Sequence, residues 1–119
     1  IFTSAIAGLE RLRAPITYSI AKTSLIAFTS HLAQELISEK IRVLSISPGN
    51  IKFRKGRWEE IIKKNKKEVN NFISKNVGMK RFGTAKEIAY LYYVLMSKNN
   101  SFMTGSNIVA DGLQLKKII

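Results

Sequence analysis

Cysteine is absent from the 119-residue chain, so disulfides, thiolate metal sites and cysteine nucleophiles are excluded. Histidine occurs once, at His31, which excludes a metal site built on several histidines. No apolar run reaches the roughly 18 residues that a membrane-spanning helix needs. The first residues lack the basic segment that opens a secretory signal. Acidic residues are scarce: 8 Asp and Glu stand against 20 Lys and Arg, a net charge of +12. The rest is ordinary, with 45% hydrophobic and 24% charged residues. Those proportions suit one small folded domain and not a disordered chain.

Ile1 leads straight into Phe-Thr-Ser-Ala-Ile-Ala-Gly, with neither a start methionine nor a polar lead. The expectation is a chain whose beginning is missing. Residues 1–8 read as the end of a strand that breaks at Gly8. A loop with Arg11, Arg13 and Pro15 follows, then a helix over Tyr18–Ser38. Ala21, Leu25, Phe28, Leu32 and Leu36 recur at helical spacing and predict its buried face, with Thr29 and Ser30 at the edge. Ile41–Ser47 reads as a strand stopped by Pro48-Gly49. Its near-continuous apolar core at Val43, Leu44 and Ile46 suits a strand covered on both faces.

Residues 52–76 are the most basic stretch, yet Trp58, Ile61, Ile62, Val69, Phe72 and Ile73 keep a helical stripe through it. One amphipathic helix with a solvated cationic face is expected there. Glu59 and Glu60 precede Lys63 and Lys64 by four residues, the favourable ion-pair order. Arg81-Phe82-Gly83 is a turn, and Thr84-Ala-Lys-Glu87 is a capping box that starts a helix lasting to Asn99-Asn100. Asn107–Ala110 is a last short strand before Asp111-Gly112, and Leu113–Ile119 reads as a loose basic tail. The order strand, helix, strand, helix, helix, strand predicts an α/β fold, with a parallel sheet and helices on its faces. Three strands are too few for a complete sheet of that kind.

Tyr18 and Lys22 lie four apart and share a helix face. A phenol is almost fully protonated at neutral pH. A nearby ammonium favours its ionised form, so such a pair is an acid–base unit suited to interconverting carbonyls and alcohols. Spacing alone also allows a plain amphipathic helix end, because any helix places residues four apart on one face.

The surroundings narrow the choice. Tyr18-Ser-Ile-Ala-Lys22 is followed by a strand ending in Ser47-Pro48-Gly49, then by Lys80-Arg-Phe-Gly-Thr-Ala-Lys-Glu-Ile88 and Met103-Thr-Gly-Ser-Asn-Ile-Val-Ala-Asp-Gly112. Together, from about Thr3 to Gly112, these resemble the C-terminal half of the short-chain dehydrogenase/reductase family. The resemblance implies half of a doubly wound, Rossmann-like parallel sheet with NAD or NADP at the carboxyl ends of the strands. It implies a catalytic half over residues 1–112 and a basic tail over 113–119. Tyr18 matches the family's general acid/base. Lys22 matches the lysine that holds the nicotinamide ribose and eases ionisation of the tyrosine. Pro48 and Gly49 match a turn whose backbone lies near the nicotinamide, and Ile51 matches a main-chain contact to its carboxamide. Phe53 stands where the family often has a threonine that bonds the cofactor. The family's substrate-orienting serine, counted back from Gly8, falls on Ala5. Ser4, one residue earlier, is the candidate for that role. It requires a bulge or a slipped register, because adjacent strand side chains point to opposite faces.

The family's glycine-rich phosphate loop has no counterpart in these residues, so the resemblance implies a fragment of an NAD(P)-dependent oxidoreductase or a truncated, non-catalytic relative. Its substrate would be a small carbonyl or alcohol, of the 3-oxoacyl or the sugar and polyol type. A cytoplasmic homo-oligomer, dimer or tetramer, is expected, without membrane attachment. Net +12 and the 52–67 cluster raise nucleic-acid binding as the reading from another class. The weight falls against it, because the cluster coincides with the family's variable substrate-covering helices.

Overall fold

The computed structural model of the chain describes residues 1–116. In chain order it holds β1 (Phe2–Thr3), a 3-10 turn (Ile6–Gly8), α1 (Ile16–Leu36), β2 (Ser45–Pro48) and β3 (Ile51–Lys52). Then come α2 (Arg57–Lys64), α3 (Lys66–Asn76), β4 (Gly83–Thr84), α4 (Ala85–Met96) and β5 (Asn107–Ala110). The main sheet is parallel, in the order β1-β2-β5. A separate parallel pair joins β3 to β4, with Ile51 opposite Gly83 and Lys52 opposite Thr84.

Strand alternation sorts the sheet into two faces. Leu44 and Ile46 pack with Leu95, Leu91, Tyr92 and Ile108, so α4 covers one face. Full burial of two such aliphatic side chains is worth about 2–3 kcal/mol each. On the opposite face Ser45 and Ser47 both donate to Asn107 Oδ1, at 2.9 and 2.8 Å. Here α1 lies close, through the buried Thr29 and Ala33. Phe2 meets Phe28 of α1 edge-on, with ring centroids 5.5 Å apart.

This corrects the expected α1 face. Thr29, placed at the edge by its polarity, is fully buried, while Ala21 and Phe28 are exposed. A helix that lies against a sheet needs small residues at closest approach. The Thr29 hydroxyl satisfies itself on Leu25 O at 2.8 Å. The helix starts two residues earlier than expected, behind Pro15, whose carbonyl accepts from Ser19 N. It ends with Lys40 N on Ile37 O and Ile41 N on Leu36 O, and Lys40 takes φ 57. That is the usual left-handed helix stop, with lysine where glycine is favoured.

The expected single helix over 52–76 is two. Asn65 ends α2 and caps α3, its side chain accepting from Glu68 N at 3.1 Å. The two helices fold onto a core of their own, in which Trp58 lies 4.6 Å from Phe82 and 5.7 Å from Phe72 between ring centroids. Val69 and Val77 complete it. Glu59 pairs with Lys63 at 3.9 Å. Thr84 and Glu87 form the predicted capping box, although α4 stops at Met96, short of Asn99.

The expected strand over residues 1–8 is a two-residue ladder followed by the 3-10 turn. The segment after Gly112 is not loose over residues 113–116. Leu113 N and Leu115 N donate to the Asp111 carboxylate, Leu113 O accepts from Gly78 N, and Leu115 is buried. Residues 117–119 of the expected tail lie outside the described residues.

Candidate active site

The first turns of α1 sit against the end of β1, and Gly8 allows the approach. A Cβ at Gly8 would lie 2.7 Å from the Lys22 carbonyl carbon and 2.8 Å from Thr23 N. The contact is stitched by three bonds. Ser4 Oγ donates to Lys22 O at 2.8 Å, and Lys22 Nζ donates to Thr3 O at 2.8 Å. Thr23 Oγ1 donates to Gly8 O at 2.8 Å, with Ser19 O of its own helix 3.0 Å away as the alternative acceptor. Ser4 is 3% exposed. It therefore lies on the α1 face of the sheet with its proton committed to a main-chain carbonyl. Ala5, at the end of the strand, is buried.

Tyr18 is 44% exposed and its hydroxyl makes no hydrogen bond among the described residues. Lys22 Nζ lies 5.6 Å from the centroid of its ring, within cation–π range. The predicted spacing thus brings phenol and ammonium onto one open face.

The second group of predicted residues stands at the carboxyl end of β2. Gly49 N donates to Ala110 O at 3.0 Å, and a Cβ at Gly49 would lie 2.7 Å from Asp111 Cα. Only glycine lets the strand end lie that close to the end of β5. Asn50 N donates to Gln114 Oε1 at 2.6 Å, and Asn50 O accepts from Gly83 N at 3.0 Å. Pro48 and Ile51 flank this junction, with Ile51 paired to Gly83. Neighbouring parallel strands β1 and β2 therefore deliver both groups to the same end of the sheet. No hydrogen bond among the described residues joins the two groups. Phe53, at the position after Lys52, is exposed.

Just beyond the junction, Arg81 grips Glu87 with two bonds, at 2.6 and 3.0 Å. Those bonds, with the Thr84 N–H and hydroxyl, pull the Glu87 carboxyl down to about 2. The same pairing raises Arg81 above its ordinary value. A cavity of about 200 Å3 lies here, lined by Asn50, Ile51, Arg81, Gly83, Glu87 and Asp111 among others. Neither Tyr18 nor Lys22 lines it, so this hollow is not where the phenol acts. Among the described residues no cluster of three or more His, Asp or Glu is placed to hold a metal ion. No described helix is long and apolar enough to cross a membrane.

Sequence reasoning missed Thr23 and Gln114. Thr23 follows Lys22 directly, but a helical threonine that bonds back to the preceding turn gives no separate signal. Gln114 fell in the supposed tail.

A parallel sheet with a helix on each face, a Tyr-x-x-x-Lys turn beside one strand end and a Pro-Gly turn at the next define one half of a doubly wound, Rossmann-type domain. Comparison with known proteins agrees. The family model described as enoyl-(acyl carrier protein) reductase matches residues 1–112. Dehydrogenase/reductase SDR family member 4 of Oryctolagus cuniculus is 32% identical over 114 residues, covering 94% of this chain and 42% of the relative. The 3-oxoacyl-[acyl-carrier-protein] reductase FabG of Buchnera aphidicola is 37% identical over 97 residues, covering 82% of this chain and 37% of the relative. L-sorbose reductase of Gluconobacter frateurii, solved with NADPH and L-sorbose, superposes with a TM-score of 0.87 at 28% identity, over 98% of this chain and 46% of that one. A 4-hydroxyisoleucine dehydrogenase solved with NADH gives 0.82 at 32% identity, over 92% of this chain and 44% of that one. The chain belongs to the short-chain dehydrogenase/reductase family. It spans less than half the length of these relatives.

The residues present fit the nicotinamide end of a dinucleotide. The Lys22 ammonium uses one N–H on Thr3 O and keeps two donors, as many as the adjacent hydroxyls of a ribose require. Tyr18 beside it is exposed as a residue, and its hydroxyl makes no hydrogen bond among the described residues.

Proposed function

We propose that the protein carrying this chain is an NAD(P)-dependent oxidoreductase that interconverts a carbonyl and an alcohol, with Tyr18 as the acid/base. The observation that carries this is the exposed Tyr18 side chain, its hydroxyl unbonded among the described residues, with Lys22 Nζ 5.6 Å from the centroid of its ring. When bound, a nicotinamide cofactor supplies or accepts the hydride. In reduction, Tyr18 gives its proton to the carbonyl oxygen as negative charge develops there. Lys22 holds the ribose hydroxyls and offsets the charge of the phenolate that remains. The backbone of Pro48, Gly49 and Ile51 walls the nicotinamide pocket. The substrate is a 3-oxoacyl compound or a sugar-type carbonyl, as the names of two relatives suggest.

Ser4 cannot meet a substrate carbonyl while its only proton is on Lys22 O. The substrate-orienting hydroxyl is therefore missing at Ala5, and turnover is slow. A homo-oligomer belongs to the same reading, supported by exposed apolar residues along α1 and α4, among them Ile16 at 75% and Tyr93 at 71%. So does a cytoplasmic location, which cell fractionation tests.

The deciding experiment follows NADPH and NADH oxidation by the protein that carries this chain, with ethyl acetoacetate and L-sorbose as carbonyl probes. Tyr18→Phe is expected to lower the rate by about 100-fold or more, the scale of lost acid–base catalysis. Equal turnover by variant and parent overturns the assignment. Ala5→Ser is expected to raise kcat, and an unchanged or lower kcat removes the account of Ala5.

A further inference from the structure

Ser4 has no place in the proton path, yet it is buried and fully engaged. Its hydroxyl donates to Lys22 O, while the Lys22 ammonium donates to Thr3 O, the residue just before it. One lysine is thus held at both ends, main chain and side chain, by two consecutive residues, Thr3 at the end of β1 and Ser4 just after it. The main-chain bond is not needed by the helix, because a carbonyl inside α1 already accepts from the N–H four residues on. The bond instead fixes where the helix sits against the strand. Thr23 repeats the arrangement one residue later, on Gly8 O, and the missing Cβ of Gly8 lets the two backbones touch.

We propose that Ser4 is a positioning residue, which locks the turn carrying Lys22 onto β1 and thereby sets the ammonium in place beside Tyr18. This rests on the reductase reading for its purpose, but the contact is testable without turnover. With the clasp closed, the ammonium is confined between Thr3 O and the Tyr18 ring. Loss of the Ser4 hydroxyl lets the Lys22 turn shift, and the long side chain then samples solvent. A threonine at position 4 restores the donor.

The test is lysine footprinting of the full chain with limiting acetic anhydride, with labelling rates read site by site by mass spectrometry. In Ser4→Ala the Lys22 rate is expected to rise about 5-fold, the size of one neutral hydrogen bond. Lys40 and Lys98, exposed elsewhere, keep parental rates. Ser4→Thr returns Lys22 to within about 2-fold of the parent. A Lys22 rate in Ser4→Ala equal to the parental one overturns the proposal, and so does a Ser4→Thr variant that behaves like Ser4→Ala. If Ser4→Ala does not fold, Ser4→Cys, close in size with a weaker donor, decides by the same criterion. Labelling does not depend on turnover, so the clasp and the reductase reading fail separately. An unaltered Lys22 rate leaves Tyr18 chemistry standing, and an active Tyr18→Phe leaves the clasp standing.

Discussion

Towards α4 the β2 segment presents Leu44 and Ile46; towards α1 it presents Ser45 and Ser47, and all four are at or below 1% exposure. The α4 side is held by hydrocarbon contact with Leu95, Leu91 and Tyr92, which tolerates small shifts. Directional bonds there are the shared one of the Thr3 and Tyr92 hydroxyls and, at the far end of α4, those of Arg42 to Leu95 O at 3.1 Å and Ser97 O at 3.4 Å. On the α1 side Asn107 Oδ1 takes both serine hydroxyls, Ser4 takes Lys22 O and Thr23 takes Gly8 O. Directional bonds permit few alternative placements. The first turns of α1, which carry Tyr18 and Lys22, are set on the strand end by side-chain bonds, whereas the middle of α4 adheres over Leu44 and Ile46 through hydrocarbon, so registration and adhesion are divided between these two regions.

Substitutions that strike one face at a time test this division. The largest loss is expected from Ile46→Ala, about 3 kcal/mol in chemical denaturation, for a fully buried branched side chain. Asn107→Leu comes next, at about 2 kcal/mol, because it strands two buried hydroxyls without their acceptor. Adding Ser45→Ala and Ser47→Ala to Asn107→Leu is expected to recover most of that loss. If the triple variant stays as unstable as the single one, the serines matter for their shape and not for their bonds.

The helix ends give smaller effects. Thr84→Ala is expected to cost about 1 kcal/mol by opening the cap of α4. The Glu87 carboxyl that shares this cap titrates at about 2 when folded, against an ordinary 4.5. A lowered folded value means that its contribution is complete above about 4.5 and disappears as pH falls through about 2. Melting temperatures of Glu87→Gln measured from pH 5 to 2 are therefore expected to fall less steeply than those of the parent. Smallest is Lys40→Gly at the end of α1, a gain of about 0.5–1 kcal/mol from relieving the φ of 57.

The α4 face was legible in the residues, and the α1 face was not. Of the series Ile88, Leu91, Tyr92, Leu95 and Met96 at helical spacing, Leu91, Tyr92 and Leu95 reach the core while Met96 is exposed, and Asn107–Ala110 is the strand that its β-rich run predicts. Reading burial from hydrophobicity fails where close packing needs small polar residues, so Thr29 was set at the margin and Phe28 inside. The division at Asn65 had a visible sign. Asn65-Lys-Lys-Glu68 has the same cap spacing as Thr84-Ala-Lys-Glu87, but the unbroken apolar stripe from Trp58 to Ile73 concealed it. Tyr18 and Lys22 were evident from spacing and setting. The use of Ser4 was not, because a bond to a main-chain carbonyl leaves no pattern in the side chains. The β3–β4 pair is too short for any periodicity to mark it.

That short pair has a consequence for how the molecule can vary. The chain departs from this short ladder after Lys52 and comes back to it at Gly83, the partner of Ile51, having folded α2 and α3 around their own aromatic core. Entry and exit are neighbours, so residues 53–76 form a closed detour, while Gly78 and Met79 just after it are tied by their N–H groups to Leu113 O and Gly112 O. Lengthening such a detour costs little, since closure entropy grows only with the logarithm of its size. The segment is thus a cassette. It can be exchanged for one of different length and charge at the Ile51–Gly83 junction, while the strands and the Tyr18–Lys22 turn stay as they are.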